Sequence, residues 1–87
     1  MSKDTVVIKN LKGLHMRPAC VLSTEALKYQ SDIYIQTDTH KVSAKSILGL
    51  LSAGIKEAQK IEIICEGEDE KEALEALVEL IESGLGE

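Results

Sequence analysis

Hydrophobic residues recur along this chain with two different periods, and the periods alternate. Every second residue is apolar in DIYIQT (32–37) and KIEIICE (60–66), which is the period of a half-buried strand. Apolar residues recur at spacings of three and four in PACVLSTEALKYQ (18–30) and DEKEALEALVELIESG (69–84), which is the helical period. A chain that switches period in this way is expected to bury a sheet face against helices.

The remaining segments complete the order β-α-β-β-α-β-α. TVVI (5–8) predicts a first strand, and residues 32–43 predict a hairpin because KVS follows the turn DTH. SILGLLS predicts a short apolar helix that begins at or just after Ser46 and is ended by Gly54. In the last helix Asp69 is a candidate N-cap. We expect one domain over residues 1–87, with an antiparallel or mixed four-stranded sheet and helices on one face.

Chain length and composition narrow the protein class. A chain of 87 residues buries only roughly 60 to 65% of its unfolded surface, enough for about one sheet-and-helix layer. Its apolar runs are too short to span a membrane, and the first strand becomes charged at Lys9 before a signal-peptide core can form, so we expect a cytoplasmic protein. Cys20 and Cys65 have no CxxC spacing and are expected to be buried structural thiols.

Charge is distributed unevenly along the chain. Residues 1–60 contain nine Lys or Arg and five Asp or Glu, whereas residues 61–87 contain one Lys and ten acidic residues. This asymmetry is compatible with a dipolar surface whose basic end meets an acidic partner or a phosphate. It is equally compatible with a solvated acidic final helix, so charge alone leaves both interpretations open.

The loop before the first helix combines residues that can handle an anion. A residue just before a helix faces unpaired backbone N–H groups and the positive end of the helix dipole. His15 has that position ahead of Pro18, and a neutral imidazole is a nucleophile. Arg17 and Lys12 add donors and charge for phosphoryl oxygens. A lone histidine at a helix start is more often a surface or capping residue than a nucleophile, so the residues alone leave both interpretations open.

Two motifs resemble one family. GLHMRPA (13–19) resembles the phosphohistidine signature of the HPr family, the histidine-containing phosphocarriers of the bacterial phosphoenolpyruvate-dependent sugar phosphotransferase system, and KSILGLLSAG (45–54) resembles its second signature. The resemblance covers essentially the whole chain. It implies an α+β fold of βαββαβα order, an open-faced β-sandwich with three helices on one face of a four-stranded antiparallel sheet.

The resemblance also implies a function. His15 matches the histidine that accepts a phosphoryl group on Nδ1 from enzyme I and passes it to sugar-specific enzyme IIA domains, and Arg17 matches the arginine that assists transfer. Such a protein is a carrier, without turnover of its own, metal or cofactor, and we expect a monomer that neither inserts into membranes nor binds nucleic acid directly. Two residues depart from the family pattern, Lys12 and Met16, which stand where small residues are usual.

Ser46 matches the serine that an HPr kinase/phosphorylase modifies, with effects on a catabolite-control transcription factor. A serine at the start of a short helix is usually its N-cap, and an N-cap position is compatible with that role. The expected partner-binding residues are Lys12, Met16, Ile47, Leu48 and Leu51. Two alternatives remain: a binding-only co-regulator that acts through phospho-Ser46, and a carrier of a nitrogen-related branch.

Other classes fit the sequence poorly. A single-strand nucleic-acid module needs stacking aromatic residues, yet the chain has no Phe or Trp and two Tyr. A copper-chaperone domain needs a CxxC loop, which is absent. His40 lies in the predicted hairpin turn, and no ligand spacing supports a metal site that joins it to His15.

Overall fold

The order of elements is the predicted one. A computed structural model describes residues 1–87, and it contains β1 (Ser2–Val7), α1 (Met16–Ala26), β2 (Asp32–Gln36), β3 (Lys41–Ser43), α2 (Ile47–Ser52), β4 (Lys60–Glu66) and α3 (Glu70–Glu82). The four strands form one sheet in the order β1-β4-β2-β3. Every neighbouring pair is antiparallel, so of the two sheet types left open by the periodicity the antiparallel one is found.

The strand register places the period-two residues on one face. Ile63 of β4 pairs with Ile35 of β2, and Ile35 pairs in turn with Val42 of β3. On the other side of β4, Ile61 pairs with Val6 of β1. These side chains are buried, except for the half-buried Val42, because the helices cover this face. The opposite face carries no helix, which gives the open-faced α+β arrangement.

Each helix contributes an apolar stripe to the core. α3 packs on β1 and β4, while α1 contacts both α2 and α3. Leu22 of α1, Leu50 of α2 and Leu77 of α3 are fully buried between these elements and the sheet. The contacts bring the N-terminal end of α1 beside the C-terminal end of α3, where the loop before α1 and the residues after α3 meet.

The start of β1 differs from the prediction, whereas the start of α1 agrees with it. β1 begins at Ser2 instead of Thr5, because pairing of Ser2 with Cys65 on the neighbouring strand extends it beyond its apolar residues. α1 begins at Met16, directly after His15 as predicted, and Pro18 occupies the third position of the first turn, where the absence of its N–H costs no intrahelical bond.

The predictions for Asp69 and for the two cysteines are met in part. Asp69 is the N-cap residue of α3, as predicted, and its carbonyl accepts from the N–H of Ala73 at 2.9 Å. Its side chain makes no capping hydrogen bond, because the carboxylate accepts from the backbone of Gln30 and Ser31 and from the Ser31 hydroxyl. Cys65 is buried as expected, whereas Cys20 is only half-buried on α1. Leu74 of α3 is half-buried against the core. None of the three helices is long and apolar enough to cross a membrane.

Candidate functional site

The loop ahead of α1 is held against the segment that follows α2. Gly13 has a φ of +66°, and a Cβ at this position would lie 2.3 Å from the carbonyl oxygen of Ile55 and 2.7 Å from Cα of Lys56. The N–H of Leu14 donates to the same Ile55 oxygen at 2.9 Å. A side chain at residue 13 is therefore excluded by both conformation and space, and the loop is fixed where it enters α1.

His15 is the N-cap residue of α1. Its backbone is extended, with φ −82° and ψ −170°, and its carbonyl accepts the first helical hydrogen bond from Ala19 at 2.9 Å. The imidazole makes no capping hydrogen bond and is 36% exposed. The backbone N–H groups of Met16 and Arg17 have no hydrogen-bond partner, so the helix start offers two free donors beside the ring.

Charged residues surround the ring on one side. An open depression of about 600 Å³ is lined by His15 with Lys9, Lys12 and Glu87, among others. The Nε2 atom of His15 lies 3.3 Å from a carboxylate oxygen of Glu87. Arg17 is exposed on the first turn of α1 and takes part in no ion pair or side-chain hydrogen bond. The structure thus brings Lys12 and His15 to one depression, while Arg17 lies outside its lining.

Ser46 is the N-cap of α2. It is exposed, its backbone is extended, and its hydroxyl oxygen accepts a hydrogen bond from the N–H of Gly49 at 3.0 Å. The absence of a side chain on Gly49 gives the hydroxyl room, since a Cβ there would lie 3.2 Å from it. The expected N-cap role of Ser46 is confirmed.

Several expected partner-binding residues are exposed apolar side chains. Leu48 is 78% exposed, Met16 is 57% exposed and Ile47 is 37% exposed, while Leu51 is half-buried against the core. These residues belong to α1 and α2, which contact each other. His40, in contrast, lies exposed in the β2–β3 turn, and no group of three or more His, Cys, Asp or Glu side chains is placed to hold a metal ion.

Two residues at the site were not anticipated. The carboxylate of Glu87 meets the ring of His15, and the buried amide of Asn10 donates to that carboxylate at 2.6 Å. These residues lie far apart in sequence, and neither sits in a recognisable motif. The one local signal was Gly84, which predicts the end of α3 but gives no direction for the chain beyond it.

The chain is similar to known proteins over nearly its full length. The PTS-HPr family, described as "PTS HPr component phosphorylation site", matches residues 2–83. The chain is 45% identical over 82 residues to the HPr-like protein Crh of Halalkalibacterium halodurans, which covers 94% of this chain and 98% of that protein. It is 42% identical over 83 residues to the phosphocarrier protein HPr of Borreliella burgdorferi, with 95% and 96% covered.

Solved structures agree with this match. The crystal structure of HPr-C-His from Thermoanaerobacter tengcongensis has a TM-score of 0.95 at 46% identity and covers 100% of this chain and 98% of its own. The HPr dimer from the same organism has a TM-score of 0.80 at 46% identity, with 100% of both chains covered. Proteins of this family are phosphocarriers without turnover of their own. On the sequence match, the shared fold and the histidine at the start of α1, the chain belongs to the PTS-HPr family of phosphocarrier proteins.

Proposed function

We propose that the chain accepts a phosphoryl group from phosphorylated enzyme I on Nδ1 of His15 and passes it to sugar-specific enzyme IIA domains. The observation that carries the proposal is a half-exposed histidine at a helix N-cap whose side chain does no capping. The side chain of an ordinary N-cap residue accepts a hydrogen bond from a backbone N–H of the first turn. Here those groups of Met16 and Arg17 stay available to a phosphoryl group on the ring.

The surroundings of the ring suit a transferable phosphate. The helix dipole and the two free N–H groups favour negative charge at this position. The exposed guanidinium of Arg17 can offer paired donors to phosphoryl oxygens, and Lys12 adds a point charge in the depression. These groups stabilise the phosphate without a new covalent bond, so the phosphoryl group remains transferable.

The test is the intact mass of the protein after incubation with phosphoenolpyruvate and enzyme I. We expect the parent to gain one acid-labile phosphate and His15→Ala to gain none. His40→Ala is the matched control, because it removes the only other histidine, which lies exposed in the β2–β3 turn. An unmodified parent, with enzyme I active on another acceptor, contradicts the proposal, and so does a phosphate that survives in His15→Ala.

We also propose Ser46 as a regulatory phosphorylation site for an ATP-dependent HPr kinase/phosphorylase. Its exposed hydroxyl stands at the start of α2, beside the apolar side chains of Ile47 and Leu48. A phosphate there adds a charge of about −1.5 to −2 to this surface. We expect the added charge to weaken docking on an acidic face of enzyme I.

The matched comparison for Ser46 lies on the same helix. Ser46→Asp is expected to lower the affinity for enzyme I, whereas Ser52→Asp adds the same charge at the exposed end of α2 and is expected to have a smaller effect. Affinities are read by titration calorimetry at fixed salt. Equal affinities of Ser46→Asp and the parent contradict the docking role.

The partner surface we propose consists of Met16, Ile47, Leu48 and Leu51, with Lys12 at its edge. Several exposed apolar side chains on two helices in contact are typical of a partner-binding surface. Leu48→Ala is expected to weaken binding to enzyme I and a IIA domain, while Leu27→Ala, with 64% exposure at the end of α1, is the control. Equal losses for both variants contradict the assignment.

A second function is favoured by one observation, the similarity to the HPr-like protein Crh. In this second function the chain is a co-regulator that binds a catabolite-control transcription factor through phospho-Ser46. Such a protein needs no nucleophile, so the presence of His15 favours the carrier, and phosphorylation by enzyme I separates the two. In either role we place the protein in the cytoplasm as a monomer.

A further inference from the structure

The chain after α3 folds back toward His15. α3 ends with the N–H of Gly84 donating to Ile81 and the N–H of Leu85 donating to Leu80, the paired bonds of a Schellman motif. Leu85 is completely buried, which anchors the segment in the core. Gly84, Leu85 and Gly86 have φ values of +94°, +54° and +81°, so the backbone turns continuously and delivers Glu87 to the depression beside the ring.

Asn10 fixes the carboxylate of Glu87. Asn10 is 5% exposed, and its Nδ2 donates both to the carbonyl of Gly84 at 2.9 Å and to Oε1 of Glu87 at 2.6 Å. The other carboxylate oxygen, Oε2, lies 3.3 Å from Nε2 of His15. The amide therefore holds one oxygen of the carboxylate while the second faces the ring.

We propose that Glu87, held by Asn10, is a positioning residue that keeps the proton of His15 on Nε2 and leaves the Nδ1 lone pair free to attack phosphorus. An unprotonated Nε2 would direct its lone pair at a carboxylate oxygen, which is repulsive, whereas an N–H is attracted to it. The assignment deepens the proposed function and rests on it for the identity of the electrophile.

The contact between Glu87 and His15 also stabilises the phosphorylated ring. The Nδ1 lone pair forms the new P–N bond, the bond from phosphorus to the donor atom breaks, and the donor keeps that electron pair. Because the proton stays on Nε2, the phosphorylated ring is cationic, and the carboxylate of Glu87 faces that charge. Lys9 and Lys12 line the same depression and Arg17 lies on the adjoining turn, so Glu87 is the one negative side chain among the groups that face the ring.

The amide of Asn10 makes Glu87→Gln a sharp test. The only oxygen of the new amide is expected to accept from Nδ2 of Asn10, which turns its NH₂ group toward His15. Nε2 must then accept a hydrogen bond, so the ring proton moves to Nδ1 and blocks the nucleophile. Adding Asn10→Ala to this variant frees the new amide to rotate, and the original tautomer is expected to recover.

The tautomer is read from the imidazole ¹⁵N shifts of the unphosphorylated protein, at a pH where the ring is neutral. We expect Nε2–H in the parent, Nδ1–H in Glu87→Gln, and a drop of about threefold in the Nε2–H to Nδ1–H ratio in Glu87→Ala, as for loss of one hydrogen bond at a partly exposed site. Glu82→Gln, an exposed residue of α3 with the same charge change, should match the parent. Backbone amide spectra verify that every variant is folded.

Transfer kinetics complete the test. Phosphorylation by enzyme I is expected to slow at least about tenfold in Glu87→Gln and less in Glu87→Ala, since a wrong tautomer is worse than an unrestrained one. An unchanged tautomer in Glu87→Gln overturns the assignment, as does a rate equal to that of the parent. Because the tautomer is measured without a phosphoryl donor, a parent with the expected tautomer that takes up no phosphate contradicts the proposed function and supports the positioning.

Discussion

Among single residues, Gly13 carries the tightest constraint near the site. Gly13→Ala places a Cβ against the Ile55 carbonyl in a backbone conformation with φ +66°. We expect the free energy of unfolding to fall by at least about 2 kcal/mol, because the cost of a positive φ and the steric clash act together. Urea denaturation measures the loss.

Gly54 offers a control with the same backbone conformation. Its φ is +63°, but nothing lies within 4 Å of an added Cβ. Gly54→Ala therefore carries only the conformational cost, about 1 kcal/mol. If the two variants lose equal stability, the close approach to Ile55 contributes nothing and the loop is held by its hydrogen bonds alone.

Lys12 lines the depression at His15, and the family resemblance leads us to expect a small residue at its position. It is exposed and shares the depression with His15, so its charge should favour a phosphate on the ring. Lys12→Thr is expected to slow acceptance of phosphate and shorten the lifetime of the phosphohistidine by about threefold at low salt. Lys71→Thr, which removes the same charge near the start of α3, is the control. An unchanged rate and lifetime would mean that Lys12 is merely solvated.

At the scale of elements, the start of α3 is tied to the start of β1 through one carboxylate. Glu70 accepts from the Ser2 hydroxyl at 2.6 Å, from the amino group of Met1 at 3.0 Å and from the N–H of Gly67 at 3.2 Å. The hydrogen bond from Ser2 is the largest of the causes that lower the pKa of Glu70 from its ordinary value of 4.5 to about 2. The ionised form therefore stabilises the folded state.

This contact predicts a pH dependence of stability. A depressed pKa contributes stability that is complete above about pH 4.5 and is lost as the pH falls toward 2. Glu70→Gln is expected to be less stable than the parent at pH 7, and the difference should shrink through that interval. Glu72→Gln, also in the first turn of α3 but exposed and without a hydrogen-bond partner, should show a smaller difference. A Glu70→Gln difference that is constant from pH 7 to pH 2 contradicts the assigned cause. Thermal unfolding followed by circular dichroism provides the data.

Local pattern predicts the elements better than it predicts how they are tied together. The strand at 60–66 and the hairpin at 32–43 follow from their alternation, because one face of each is buried. The first three residues of β1 have no such alternation, and their pairing with β4 decides their conformation. Asp69 shows the same limit, since its carboxylate serves Ser31 across the fold instead of its own helix.

In the candidate site, too, local features could be predicted from sequence and contacts between distant segments could not. His15 and Ser46 could be placed from sequence because a helix start is a local feature. The contact between His15 and Glu87 depends on how α3 ends, on the burial of Leu85 and on the amide of Asn10, which are separated by most of the chain. No spacing rule predicts it.

At the scale of the whole molecule, the charge asymmetry of the sequence becomes two surfaces. Lys9 and Lys12 line the depression at His15, while carboxylates of Glu75, Glu79 and Asp4 line a separate groove along α3. The basic side of the depression suits acidic partners, which fits the expectation drawn from the first 60 residues.

The oligomeric state is a prediction for the whole molecule. The chain has a mass of 9.5 kDa, and its sheet ends in β1 and β3, two edges that remain unpaired in a monomer. Both edge strands carry exposed lysines, Lys3 and Lys41, which discourage edge-to-edge pairing. We expect sedimentation equilibrium to give the monomer mass at micromolar concentration. Twice that mass would indicate a dimer, as solved for the HPr of Thermoanaerobacter tengcongensis.

The path of the chain after α3 decides where an affinity tag belongs in any recombinant form. Residues placed after Glu87 would emerge beside the imidazole of His15, where a polyhistidine tail would add competing imidazoles. Met1 lies near Glu70, at the amino end of α3. The helix has 13 residues, so this end lies about 20 Å from the carboxyl end that leads to Glu87. A tag before Met1 affects the ion pair between the Met1 amino group and Glu70, far from His15. Protein for phosphorylation assays should therefore carry its tag at the amino end.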